Sequence, residues 1–179
     1  MAEKKKAAAM TIVCQVERCL ACHSCELACA LVHSGSKDLR AAVEEDPKPR
    51  KRVTVEAAGD HALPLQCRHC ENAPCVMICP TEAVRRKTDA GPVLIDSDRC
   101  IGCKLCMIVC PFGVVDLAPG GKAVIKCDQC AERVEAGELP ACVAACATHA
   151  LQFVDVEQYT RRKRKGAAQR IAAEAGNTK

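Results

Sequence analysis

The chain has 179 residues, of which 17 are cysteine and only three, Phe112, Phe153 and Tyr159, are aromatic. Ordinary side-chain packing cannot fill such an interior, so disulfides or metal must. Residues 161–179 carry seven Lys/Arg and one Glu, so the net charge of +4 belongs to a tail, while residues 1–160 are net −2, and −4 without the first ten.

In chain order, Lys4, Lys5 and Lys6 and the short apolar stretch from Ala7 to Val13 imitate a secretion signal only weakly. The apolar part is at the lower length limit and no small-residue cleavage site follows. A strand is expected over 11–13, with Cys14 at its end. The first cysteine group, Cys19, Cys22, Cys25 and Cys29, is spaced C-x2-C-x2-C-x3-C, with a helix expected over 24–33. Residues 34–66 read as a connecting insertion. Its block from Glu44 to Arg52 has opposed charges and reads as a solvated loop, and 53–55 with 63–65 adds a small hairpin. The second group is Cys67, Cys70, Cys75 and Cys79, spaced C-x2-C-x4-C-x3-C, with a helix over 73–79. Strands over 84–87 and 93–96 flank the turn Thr88-Asp-Ala-Gly91.

The third group, Cys100, Cys103, Cys106 and Cys110, repeats the first spacing and carries a helix over 104–110. Strands over 114–117 and 123–126 flank Ala118-Pro-Gly-Gly121. The fourth group is Cys127, Cys130, Cys142 and Cys146, spaced C-x2-C-x11-C-x3-C, with a helix over 140–146 and a strand over 150–156. Pro74 and Pro140 suit first-turn positions. Strands and helices this short bury little surface, so the metal must act as core and folding should depend on it.

Sixteen cysteines in four quartets leave Cys14 over, most simply a buried small residue. In runs of this kind three thiolates wrap one [4Fe–4S] cube, and the fourth, a helical turn on, ligates the other cluster of a pair. Cys₄ zinc sites would also consume sixteen thiolates. Zinc sites, however, come as two separated pairs, whereas groups one and three are unbroken runs of four, and Pro80 and Pro111 follow the last cysteine of groups two and three. The odd thiol count argues against closed disulfides, and dense reduced cysteine points to a cytoplasmic protein. No apolar run reaches the ~20 residues of a spanning helix. The tail lacks the interleaved aromatics of a nucleic-acid binder. No carboxylate pair or nucleophile–base set suggests catalysis. His23 and His69 lie between or beside cysteines and read as hydrogen-bonding groups around the ligands.

The stretches Cys67-Arg-His-Cys-Glu-Asn-Ala-Pro-Cys-Val-Met-Ile-Cys-Pro, Asp98-Arg-Cys-Ile-Gly-Cys-Lys-Leu-Cys-Met-Ile-Val-Cys-Pro-Phe-Gly, Lys126-Cys-Asp-Gln-Cys and Glu17-Arg-Cys-Leu-Ala-Cys-His-Ser-Cys-Glu-Leu-Ala-Cys resemble the four-cluster, ferredoxin-like electron-transfer subunits of the dimethyl sulfoxide reductase type. Among these the chain is most similar to the small unanchored subunits serving carbon monoxide dehydrogenases, hydrogenases and tungsten or molybdenum oxidoreductases. The resemblance covers about residues 11–156. It implies an α+β fold of two pseudo-symmetric βαββαβ halves around four [4Fe–4S] clusters. The outer half is 11–33 with 122–158, the inner half is 67–121, and a basic helical tail follows at 159–179.

The resemblance also implies the ligand sets. They are Cys67, Cys70, Cys75 with Cys110; Cys100, Cys103, Cys106 with Cys79; Cys19, Cys22, Cys25 with Cys146; and Cys127, Cys130, Cys142 with Cys29. The spacing by itself also allows groups one and two to pair, although the 37 residues between Cys29 and Cys67 make that less natural. Ala30 and Ala147 stand where family members often have proline. The implied function is non-catalytic: electron relay between a catalytic redox subunit and another partner. A zinc-stabilised interaction module and a free polyferredoxin are the alternatives. In the tail, Ala167 to Ala175 has helical spacing with Gly176 as its stop. The +6 charge would suit an acidic surface, either the catalytic partner or, head-to-tail, the next copy of this chain.

Overall fold

The computed structural model describes residues 9–176, so Lys4 to Lys6 and Asn177 lie outside the described residues. Apart from the last helix the elements are short. They are β1 (Met10–Cys14), α1 (Ser24–Val32), α2 (Leu39–Glu44), β2 (Val53–Ala58), β3 (His61–Gln66), α3 (Pro74–Met77), β4 (Val84–Arg86), β5 (Val93–Ile95), α4 (Leu105–Ile108), β6 (Val115–Leu117), β7 (Val124–Lys126), α5 (Ala131–Glu135), α6 (Ala141–Ala144), β8 (Leu151–Asp155) and α7 (Val156–Gly176). The result is a mixed helix-and-strand fold of four antiparallel two-stranded sheets, β1–β8, β2–β3, β4–β5 and β6–β7.

The β1–β8 pair joins the two chain ends in the register Ile12 opposite Phe153. The ladder continues through Gln15 N–H to the Ala150 carbonyl and Val156 N–H to the Ala9 carbonyl. The two central hairpins turn where their Gly-rich loops demand. Gly91 N–H closes on the Thr88 carbonyl, and Gly121 N–H on that of Ala118. The expected half boundary at 121/122 falls inside the β6–β7 hairpin, and Val124 of β7 is buried with the inner core.

Two cores result, and both are built on sulfur. The outer core gathers Ile12, Val53, Val143 and Leu151 with Cys25, Cys29, Cys127 and Cys142. The inner core gathers Ala73, Val84, Val93, Val115 and Val124 with Cys106, against half-buried Cys70, Cys75, Cys79, Cys100 and Cys110. Proline limits two of the helices that carry a third cysteine, while α6 stops at Ala144 with Ala147 after Cys146. α3 and α4 end before Cys79-Pro80 and Cys110-Pro111, because the residue before proline avoids the helical region. With Ala30 after Cys29, α1 runs on to Val32.

The insertion is more than a solvated loop. Its hairpin extends to six residues a side and buries Val53 in the outer core. Asp38 caps α2, a helix the sequence reading does not anticipate, by accepting from Ala41 N–H at 3.0 Å. Glu45 ties the acidic block to its own loop through Ser36 Oγ at 2.6 Å. Lys51 and Arg52 pair with core-facing Glu26 and Asp128 at 2.7 and 2.5 Å.

α7 begins eleven residues before the segment expected from Ala167. Asp155 accepts from Gln158 N–H at 2.9 Å, the capping pattern Asp-x-x-Gln. Arg161 pairs with Glu157 one turn back at 2.6 Å. No helix among the described residues is long and apolar enough to cross a membrane. Because α7 leaves the body at β8 and its residues from Arg161 to Lys165 are exposed, removing residues 160–179 should leave iron content unchanged. If the basic helix docks on an acidic surface, the same truncation abolishes a salt-sensitive association seen by size-exclusion chromatography. Identical elution of both proteins across a salt series would show that the helix docks nothing.

Candidate metal centre

Each C-x2-C pair makes the same turn. The residue before the second cysteine is left-handed in all four: Ala21 at φ 52°, His69 at 50°, Gly102 at 68° and Gln129 at 58°. Three of the four are not glycine, and such strain persists only where the surroundings over-determine it. At Gly102 the need is steric as well. A Cβ there would lie 1.9 Å from the Lys122 carbonyl oxygen, so the Cys100–Cys103 loop fits under the β6–β7 turn only as glycine. His23 and Lys104, also left-handed, then turn the chain into α1 and α4.

These turns gather the sixteen candidate cysteines into four places. Cys67, Cys70 and Cys75 share one cavity with Cys110, from beyond α4. Cys100, Cys103 and Cys106 share another with Cys79, and Cys19, Cys22 and Cys25 share a third with Cys146. Cys127, Cys130 and Cys29 surround Cys142, whose thiol is driven far above its ordinary value by burial and by those neighbours.

The places adjoin. Burial pushes Cys106 up to about 11, with Cys75 of the adjacent quartet adding to its own partners. Burial pushes Cys127 to about 12, with Cys29 and, across the seam between the two cores, Cys67 contributing. Cys142 likewise feels Cys25. The order is therefore Cys79/100/103/106, Cys67/70/75/110, Cys29/127/130/142, Cys19/22/25/146. Only Cys103 and Cys22, in the first and last of these, are exposed.

The donor set fits an iron–sulfur group. It is all thiol, four to a place, and several sulfurs already accept backbone N–H groups. Arg52 N–H reaches Cys29 Sγ at 3.2 Å. His69 N–H reaches Cys67 Sγ, Gln129 N–H reaches Cys127 Sγ and Leu151 N–H reaches Cys146 Sγ, each at 3.4 Å. Such donors stabilise thiolate over thiol.

Groups that sequence reasoning missed hold the loops in place. His33 Nδ1 lies 2.7 Å from the Cys29 carbonyl, its Nε2 lies 3.3 Å from both Asp128 oxygens, and Asp128 accepts from Cys130 N–H at 2.9 Å. Burial alone would lift the Asp128 carboxyl, but the His33 hydrogen bond and the Arg52 charge hold it well below the usual carboxylate range. Burial opposes protonation of His33 too, yet its bonds to Asp128 and Cys29 raise it to about 9. This clamp ties Cys29 to Cys130 across about a hundred residues of chain.

Arg86 donates to the carbonyls of His69, Cys70 and Glu71, framing the Cys67 loop. His69 Nδ1 accepts Val93 N–H at 3.0 Å, while its Nε2 is buried with no partner among the described residues. Burial, then the Lys126 charge, pulls it to about 3. His23 pairs with Glu26 at 3.2 Å on the surface. Cys14, half-buried in β1, lines none of the three cavities.

A family model described as 4Fe-4S dicluster domain matches residues 60–156, which hold groups two, three and four. The chain is 42% identical over 168 residues to the iron-sulfur protein of Rhodospirillum rubrum, covering 87% of each. It is 35% identical over 179 residues to the electron transport protein HydN of Escherichia coli (strain K12), covering 88% of this chain and 96% of that one. It is 38% identical over 138 residues to the thiosulfate reductase electron transfer subunit PhsB of Salmonella typhi, covering 76% and 71%.

Proposed function

We propose, starting from the fact that this chain belongs to the 4Fe-4S dicluster domain family, that it is a non-catalytic electron carrier. In this reading it holds four [4Fe–4S] clusters and relays electrons between a catalytic oxidoreductase subunit and a second redox partner. One observation carries the reading: sixteen cysteines fall into four adjoining quartets, of which the two end members alone hold an exposed cysteine. Bound there, such clusters supply one-electron redox chemistry.

The chain's own residues do the rest. Quartets Cys67/70/75/110 and Cys29/127/130/142 sit against the two cores, the first half-buried and the second buried. Cys22 and Cys103 bring the end quartets to the surface. Backbone N–H groups on Cys29, Cys67, Cys127 and Cys146 offset thiolate charge. The names of HydN and PhsB, an electron transport protein and an electron transfer subunit of a reductase, support a redox enzyme as partner.

Protein isolated without air should contain about sixteen iron and sixteen sulfide per chain and show the broad visible absorption that dithionite bleaches. Stoichiometric zinc with little iron would replace this reading with the zinc-module alternative. About eight iron would retain electron carriage and remove the four-cluster count.

A further inference from the structure

We propose that Lys126 sets the potentials of the two clusters beside the seam between the cores, those held by Cys67, Cys70, Cys75 and Cys110 and by Cys29, Cys127, Cys130 and Cys142. This rests on the cluster reading above. Lys126 closes β7 and is 4% exposed. Its Nζ donates to the Val93 carbonyl on one side and to the Cys127 carbonyl at 3.1 Å on the other. Val93 lines the cavity of the first quartet, and Cys127 belongs to the second.

Among the described lysines and arginines only Lys126 is buried. Arg86 and Lys48, less buried, donate to carbonyls, and several others have acids. Lys51 has Glu26, Arg52 has Asp128, Arg85 has Asp96 and Lys87 has Glu135. Lys126 forms no ion pair with a carboxylate among the described residues. A buried cation without a counter-charge is costly, and proteins keep one where an anion compensates it. Two of its three donors serve carbonyls that any neutral donor could satisfy, so those bonds do not explain a charge at this place.

The thiolates belong to the two places that the bonds of Lys126 adjoin, one lined by Val93 and the other holding Cys127. The Lys126 charge works against the burial that raises Cys75, in the first quartet. A tetrathiolate cluster is anionic and gains a further negative charge on reduction. A fixed cation in a low-dielectric seam attracts the reduced form more than the oxidised one. Lys126 therefore raises both seam potentials.

The test is a potentiometric titration, followed by low-temperature electron paramagnetic resonance, on the anaerobic full chain and its Lys126→Met, Lys126→Gln and Lys126→Arg variants, with iron counted in each. The neutral variants should keep their iron. Two of the four redox waves should move negative, so that the reduced-to-oxidised ratio of those clusters at fixed potential falls about tenfold, a shift of ~59 mV for one electron. Lys126→Arg should restore the native waves. Unchanged waves in Lys126→Gln at full iron would overturn the proposal, as would an equal shift of all four. Loss of iron in both neutral variants would also overturn it, making Lys126 a structural prop. Absence of iron from the native chain would instead strike the cluster reading itself.

Discussion

Stripping the iron should unfold the body of this protein. Of the eight buried residues of the outer core, Cys25, Cys29, Cys127 and Cys142 are half. The inner core buries five small apolar residues and Cys106, and five of the nine half-buried residues packed against it are cysteines. Strands of three to six residues and helices of four to nine cannot bury enough around that to offset chain entropy. Structural metal in small domains contributes roughly 10–16 kcal/mol, comparable to or larger than the ~5–15 kcal/mol by which a whole domain is stable. Chelation under reducing conditions should therefore abolish the cooperative thermal transition and expand the chain on size exclusion. The residual helix signal would come from α7, itself marginal alone. A metal-free chain that still melted cooperatively would show that the cores stand without metal.

The second large effect concerns one thiol. Cys110 follows Cys106 by four residues, yet it lines the cavity of Cys67, Cys70 and Cys75, and the place left by the third run is completed by Cys79. Cys110→Ala should remove about four iron. It should also stop electron passage between the two ends, because the lost cluster is an inner link, while the signal of the cluster on Cys79, Cys100, Cys103 and Cys106 persists. Iron analysis, paramagnetic resonance and end-to-end reduction kinetics check this. Loss of the neighbour's signal in place of its own would mean that each run closes its own cube. Cys14→Ser, the control, should keep the full iron content.

The cysteine spacing made the four groups and most short elements legible, because three of the groups place three cysteines within seven or nine residues, whereas the crossed sets came only from the family resemblance. The expected strand pairs flanking Thr88–Gly91 and Ala118–Gly121 formed because their turn residues are equally local. What could not be read was non-local. The clamp of His33, Arg52 and Asp128 joins residues 76 and 95 positions apart, and nothing in the charged block around Arg52 announces a core-facing role. Lys126 looked like one more basic residue before a cysteine, and its burial follows only from how β7 meets β5. α7 was underestimated for a different reason. Five consecutive basic residues show no apolar face, and the signal that starts the helix, Asp155 with Gln158, sits in what read as a strand end. Tyr159 then lies under Arg162 and Lys163, at 5.8 and 5.6 Å from its ring centre, which supports the basic turn.

If the cysteines ligate in the crossed sets proposed above, the crossing also orders events in time. On the ribosome, the eight cysteines of the inner pair are all present once Cys110 has emerged, so both inner places can close early. Cys19 and Cys29 must wait for Cys146 and Cys142, which at ~5–20 residues per second means roughly ten seconds of exposed, unpartnered thiols. During that interval the first quartet to be synthesised is the last to be finished. A chain cut short anywhere between Cys110 and Cys142 would carry two complete places at one end of the row and two open ones at the other.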